Sequence, residues 1–493
     1  MLPFAGRPEQ KNFTQMEVFS MRAVYVFLAL SLLLISPLCV ASEQLDTSWD
    51  KLISGLQAAR KSLADPGSFP ADPTDRNLAE GHRYLLGHLG RLIEWEMRSD
   101  PRFPEFFRFV DMLRKWTGEN PDTKYLGAPI DAKGYYRVSG QVANHAEWST
   151  SDRGIAGPKA PRMVIFQTTT GSVGSTGGLE EMAICKNQTL ASINSFDLQI
   201  EAGGKFELLV GPEQPPDYPG NFLLSKKKMN CRATGVESVR QAQVLSVREI
   251  FSDWENERSI DMEIVRLDAK GTSRPPIDSD FMSKRLEKIA EAVPNQIRFW
   301  QLLQEFPMEM RRDVNNDGRR NMPVNDINPP APPFTAGGVA GAGQLYAGGI
   351  FELAEDEALL VKVTSPVEPH YMGFQLNNHW LEGPDQQNFV SSLNGHQLPV
   401  ASDGSRYFVV SHRDPGIQGW VDTTGLPRGS IAMRFIFRSV LPEEQLPTTK
   451  AQLVKNSALR SLLPADTAVV SSEQRQEEIA VRQSHIKRRW RGH

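Results

Sequence analysis

The feature that most limits what this chain can fold into is a stretch that it writes twice. Shifted by 200 positions, Leu190–Pro216 falls on the run beginning at Val390. Ser192, Asn194, Leu198, Gly204, Val210 and Pro215 then meet Ser392, Asn394, Leu398, Gly404, Val410 and Pro415 in one ungapped register. The replacements between these identities keep their character: Ile193 meets Leu393, Ile200 meets Val400, and Leu208 and Leu209 meet Phe408 and Val409. After loops of unequal length, both copies end in a similar apolar run, Ser246–Phe251 and Ala432–Phe437, containing Arg248 and Arg434. The repeat implies two related β modules.

Short extended runs dominate both modules. In the first they are Tyr136–Val142, Met163–Thr168, Phe196–Ile200, Phe206–Val210 and Ser246–Phe251. In the second they are Ile350–Leu353, Ala358–Thr364, Tyr371–Leu376, Tyr407–Val410 and Ile431–Phe437. Gly203-Gly204 and Asp403-Gly404 are hairpin turn chemistry. No βαβ alternation occurs, so the expected fold is mainly β with helical layers, of the α+β class. It comprises two antiparallel β-sandwich or jelly-roll-like modules, an N-terminal helical region and a C-terminal helix.

Helical spacing marks the layers. Trp49, Leu52, Ile53, Leu56 and Leu63 form one stripe, and Leu85, Leu86, Leu89, Leu92 and Ile93 a second. Phe106, Phe107, Val110 and Leu113 suggest a third. Leu286, Ile289 and Val293, then Ile297, Trp300 and Leu303, give a helix expected to break at Pro294. Ser471 and Gln474 form a capping box for a last helix that ends in Lys487-Arg488-Arg489-Trp490-Arg491. The boundaries are then a leader and signal peptide over 1–42, a helical region over 43–127, module one over 128–270 and a helical connector over 271–306. A Pro/Asn/Asp-rich linker over 307–336, module two over 337–445 and a tail over 446–493 complete the chain.

Met21-Arg22, the apolar run Ala23–Ile35 and the small residues through Ser42 have the order of a secretory signal. The apolar run is too short to span a bilayer comfortably. The mature protein is therefore expected to be exported, periplasmic or secreted, with no membrane span. A formal charge of −4 offers no bulk attraction to nucleic acid. Cleavage would leave Cys185 and Cys231, natural disulfide partners in an oxidising compartment. The loop of ~46 residues that they would close is worth roughly 3–4 kcal/mol on the chain-entropy account.

Most motifs that suggest cofactors lack their context, and no cofactor is expected. Asp313-x-Asn315-x-Asp317-Gly318 resembles half a calcium loop, but the twelfth position is Val324 and four arginines flank it. The glycine-rich Gly337–Gly343 follows a proline-rich linker rather than a strand. His370, His379, His396 and His412 lack metal-ligand spacing, and no metal is assigned to them.

The copies differ most where module two has His412, Arg413 and Asp414 and module one has Pro212, Glu213 and Gln214. Residues common to both copies hold the fold: Asn394 ties a turn, Gly404 supplies positive φ and Arg434 anchors a strand end. The trio stands on a loop at a strand end, where sites are usually grafted. His379, Trp380, His412 and Trp420 are accordingly the candidate ligand-binding residues, with His412, Asp414 and Arg434 as catalytic candidates. Rings and amides beside tryptophan suit a small carbohydrate-like or amphiphilic ligand. An enzyme using His412 and Asp414 as acid–base groups is the rival reading, and a structural protein of the cell envelope a third. Oligomeric state is not legible here. Should the trio prove structural, the search for a site moves to module one.

Gly349-x-Phe351-x-Leu353, Asp356–Leu359, Ser392-Leu393-Asn394, Asp403-Gly404, Asp414-Pro415-Gly416, Trp420 and Arg434 together resemble the bacterial family catalogued as domain of unknown function 1214. Gly204–Leu208 and Asp253-Trp254-Glu255 are similar to its usual N-terminal partner region. The resemblance covers about 130–440. It implies a pair of β-sandwich domains and no established activity.

Overall fold

The computed structural model describes residues 43–65, 74–150, 154–171, 173–183, 186–231, 234–309, 322–332 and 343–490. The signal-like segment, Cys185 and the calcium-loop and glycine-rich motifs, apart from Val324 and Gly343, lie outside the described residues. The chain opens with two helices, α1 (43–63) and α2 (Asp75–Arg98), and a short strand β1 (Phe107–Arg108). Module one follows as β2 (Thr123–Pro129), β3 (Tyr136–Gln141), β4 (Met163–Thr169), α3 (Glu180–Ala183), β5 (Thr189–Asn194), β6 (Lys205–Gly211) and β7 (Asn221–Leu224). An exposed hairpin, β8 (Lys226–Asn230) and β9 (Glu237–Gln241), leads to β10 (Val244–Ile250) and β11 (Asp261–Arg266). The long α4 (Ser279–Glu309) joins the modules. Module two comprises β12 (Gly343–Glu352), β13 (Glu357–Thr364), β14 (Tyr371–Asn377), β15 (Ser392–Asn394), β16 (Ser405–Ser411), β17 (Trp420–Asp422), β18 (Arg428–Phe437) and β19 (Thr448–Lys455). The tail ends in α5 (Leu459–Leu462) and α6 (Ser472–Arg489).

The two modules share one topology. Module one pairs β1-β2-β10-β4-β5 in one sheet and β11-β3-β6-β7 in the other; module two pairs β12-β18-β14-β15 and β17-β16-β13-β19. Apart from the extra β1 and the β8·β9 hairpin, each strand has a counterpart, and the register matches as well. Tyr125, Arg248, Ile165 and Asn194 lie in one row across the first module. Tyr346, Arg434, Gly373 and Asn394 lie in the equivalent row of the second. Gly204 and Gly404 enter β6 and β16 at φ of 80° and 78°, a conformation that a side chain would strain. Each sandwich buries its own core, with Leu126, Phe166, Val138 and Leu208 at the centre of the first. Phe351, Phe374, Val361 and Phe408 occupy the centre of the second.

Several expectations need correction. The sheets are antiparallel except at β6·β7 and β16·β17, which pair in parallel. Phe196–Ile200 is a turn rather than a strand, because the Asn194 carbonyl and side chain take the N–H groups of Phe196, Asp197 and Leu198. Residues 106–113 form β1 and bends instead of a third helix. Phe106, Phe107 and Val110 are buried, but Leu113 faces solvent. The helix expected to break at Pro294 is in fact continuous, with Val293 and Ile297 on either side fully buried. The region placed before module one contains β2, one of its strands, and the first residues of the tail form β19, an edge strand of module two.

The helices make one layer beside the sandwiches. Leu52, Ala59 and Leu63 of α1, Tyr84, Leu85 and Leu92 of α2, and Ile289, Val293 and Ile297 of α4 form its core, which Trp380 of module two joins. Thr74 caps α2 by accepting the Asn77 N–H at 3.2 Å. Among the described residues, no helix is long and apolar enough to cross a membrane.

Candidate functional site

The loop after β16 carries the trio; His412 and Asp414 are engaged by their own fold, while Arg413 is exposed and lies 3.6 Å from Glu355. Both His412 ring nitrogens are occupied, Nδ1 with Thr423 Oγ1 at 2.7 Å and Nε2 with the Leu353 carbonyl at 3.1 Å. Asp414 accepts the Gly416 N–H and receives the Arg475 guanidinium at 2.9 Å. It thereby docks α6. Trp420 is buried, gives its indole N–H to the Ser411 carbonyl at 3.3 Å and lies under Arg475. Arg434 stands inside β18 rather than at a strand end, and donates to Gln375 Oε1 and to the Gly118 carbonyl at 2.7 Å. Trp380 is 1% exposed inside the helical layer, and His379 is half-buried beside it. These residues therefore tie loops, tail and layer rather than line one pocket. The histidines disperse too: His370 meets the Arg162 carbonyl, and His396 lies 3.8 Å from Asp253. Among the described residues, no three His, Cys, Asp or Glu side chains gather where a metal would sit.

The contact between the modules has an apolar half of Met163, Ile165, Ile250, Tyr371 and Ile436. Its polar half centres on Asp122, in the loop before β2. The Asp122 carboxylate accepts from the Tyr371 hydroxyl at 2.6 Å, the Trp254 indole at 2.9 Å and the Asn394 amide at 3.0 Å. Burial pushes both the Asp122 carboxyl and the Tyr371 hydroxyl above their ordinary ranges. Three donors from both modules converge on this buried carboxylate and take most of its acceptor sites, so this cluster joins modules rather than performs chemistry.

An open site appears where module one should match the trio's neighbourhood. Tyr136 pairs with Val210 and Leu359 with Val410, so Tyr135 corresponds to Ala358. Leu267, bonded to Tyr135, likewise corresponds to Val454, the partner of Ala358. In module two, Ala358, Val409 and Val454 are sealed beneath Ile417, Leu459 and Leu463, so the tail closes that face. In module one the chain leaves for α4 after β11, and the same face stays open. Tyr135, Leu209, Pro215 and Leu267 line a depression of about 270 Å³ with Lys133 and Asp268 at its rim. Leu267 is 42% exposed where Val454 is 8% exposed. The surrounding positions are more polar than their counterparts: Arg137 and Glu207, 3.8 Å apart, replace Leu360 and Tyr407. Asp268 is held by Arg266 at 2.7 Å. Sequence comparison aligned Leu209 and Pro215 with Val409 and Pro415, but which copy is covered depends on where the tail runs.

No family model and no curated protein matches the chain. Among solved structures, it is similar to a putative uncharacterized protein from Burkholderia cenocepacia, with a TM-score of 0.66 at 23% identity, covering 85% of this chain and 99% of that one. A protein from Vibrio parahaemolyticus aligns at a TM-score of 0.34 and 13% identity, over 81% of this chain and all of that one. The first likeness shows a shared fold.

Proposed function

We propose that this is an exported two-module binding protein that holds a small amphiphilic ligand, such as a sugar bearing an alkyl group, on the open face of module one. One observation carries the reading: the face that module two closes with its own Ile417, Leu459 and Leu463 is left open at Tyr135, Leu209 and Leu267. The side chains that fill it in the second copy are branched and apolar, so the first copy suits an apolar group of similar size. The depression lies near the small end of ligand sites, and its mixture of apolar floor and charged rim suits a ligand with two characters. The resemblance to the domain of unknown function 1214 family belongs to this proposal and names no chemistry. The occupied ring nitrogens of His412 give the acid–base reading no support.

A thermal-shift panel of short alkyl glycosides and fatty acids tests the pocket. Ligands that bind only the native state raise the midpoint. We expect a rise with wild type that is lost in Leu267→Arg, a change at an exposed position. Equal shifts in both proteins would move the site elsewhere, and no shift across the panel would end the reading.

Export and the disulfide are tested by one peptide map of protein taken unreduced from its native host. The expected result is a mature start near Ala41–Glu43 and a linked Cys185–Cys231 pair, with Cys231 being buried. An intact Met21, or two freely alkylated thiols in the denatured protein, would overturn the corresponding half.

A further inference from the structure

The C-terminal helix α6 lies against both modules. Toward module two, Arg475 bonds Asp414 and the Ile417 carbonyl, and Arg482 reaches the carbonyls of Ser392 and Gln386. Toward module one, Arg489 donates to the Pro121 carbonyl at 2.6 Å, and Arg488 donates to the carbonyls of Trp254 and Glu255. Between them sits His485, 1% exposed, its ring stacked on Trp254 at 4.8 Å and 15° and edge-on to Phe251.

The bonds of this histidine fix its charge state. Arg489 Nε donates to His485 Nε2 at 2.8 Å, so Nε2 must offer a lone pair. Nδ1, 2.7 Å from the Trp254 carbonyl, must then carry the hydrogen. The ring is neutral with both nitrogens used. An added proton would land on Nε2, abolish the bond from Arg489 and set two cations face to face in a buried site.

We propose that α6 is an acid-released clamp: it bridges the modules through His485 and its flanking arginines, and lets go of module one when the imidazole is protonated. The charged surroundings favour release. Arg488 and Arg489 face the ring from α6 and Arg258 from the loop after β10, while Arg482 lies over the neighbouring Trp254 indole. Asp122 faces the arginines from the loop before β2, and Glu255 and Asp253 from the loop after β10, where His396 of module two lies near Asp253. Burial, with Arg489 adding to it, holds the His485 pKa well below the usual imidazole range. A depressed pKa leaves the clamp intact above the free-imidazole value of about 6.5 and weakens it as pH falls below that value, by up to about tenfold per pH unit. Release would uncover Phe251, Trp254 and the carbonyls that α6 now satisfies.

Hydrogen exchange on the full chain tests this at about pH 7.5 and about pH 5, corrected for intrinsic exchange. We expect the opening of α6 to rise at least tenfold at the lower pH, while β18 keeps its protection. His485→Gln retains an amide N–H for Trp254 and a carbonyl for Arg489, so its α6 should stay closed at both pH values. Loss of protection in α6 and β18 together, no rise in wild type, or the same rise in the variant would each overturn the proposal. Should that variant not fold, NMR of isotope-labelled histidine in wild type decides: His485 must take up its proton over the pH range in which α6 opens, and opening with a neutral ring refutes the clamp.

Discussion

Trp380→Ala is expected to destabilise the protein by about 3–5 kcal/mol, as large aromatic truncations in closed cores do. The ring is the plug between module two and the helical layer. It stacks on Tyr84 at 5.3 Å and gives its indole N–H to the Asn77 carbonyl at 2.9 Å. The Trp380 carbonyl takes the Gln304 amide at 2.8 Å. The fit needs Gly81 on α2, where a Cβ would come within 2.5 Å of the ring. Alanine would leave a cavity in the helical layer and remove the indole's hydrogen bond to the Asn77 carbonyl. Trp380→Phe keeps most of the stacking and loses the hydrogen bond, so it should cost about 1–2 kcal/mol. Urea unfolding followed by near-ultraviolet circular dichroism measures both. A loss below about 1 kcal/mol for the alanine variant would mean that the ring does not plug the helical layer.

Turn chemistry and duplication were legible because both are local. Asn394 ties its turn by accepting the N–H groups of His396 and Gln397, as Asn194 does with that of Phe196. The capping box of Ser471 and Gln474 forms as its spacing predicts. Local pattern also misled. Phe106, Phe107 and Val110 have helical spacing, but they are buried because β1 pairs with β2. The site expectation failed for a less local reason. Divergence between the copies at His412–Asp414 reads as acquired function, yet Asp414 differs from its counterpart Gln214 because it receives Arg475 of α6. The open face of module one was hidden in the same way. It is defined by what does not cover it, and no residue in the repeat announces where a distant tail will lie. The partners of Asp122 stand 132, 249 and 272 positions away, beyond any reading of periodicity or spacing.

Asp122→Ala is expected to cost about 3–5 kcal/mol, because it strips the acceptor from three buried donors at once. The Trp254 indole, the Asn394 amide and the Tyr371 hydroxyl all point at this carboxylate, one from module one and two from module two. Asp122→Asn should cost far less, about 1 kcal/mol. Its amide oxygen can still accept from Trp254 and Asn394, and the Tyr371 hydroxyl, 3.1 Å from Asn120 Oδ1, can turn its hydrogen there and accept the new N–H. The pair also predicts a pH dependence. Burial raises the Asp122 pKa in the folded protein, so the protonated acid is favoured there relative to the unfolded chain. A raised carboxyl pKa contributes stability that is fully present below the unfolded value of about 3.9 and is lost as pH climbs through the folded value. The asparagine variant lacks this term, so wild type should lose stability relative to it between about pH 4 and pH 7. Denaturant midpoints of the three proteins at both pH values provide the measurement. If the alanine variant stays within about 1 kcal/mol of wild type, Asp122 does not join the modules, and the apolar half of the contact, Ile165 and Ile250 against Ile436, holds them together without it.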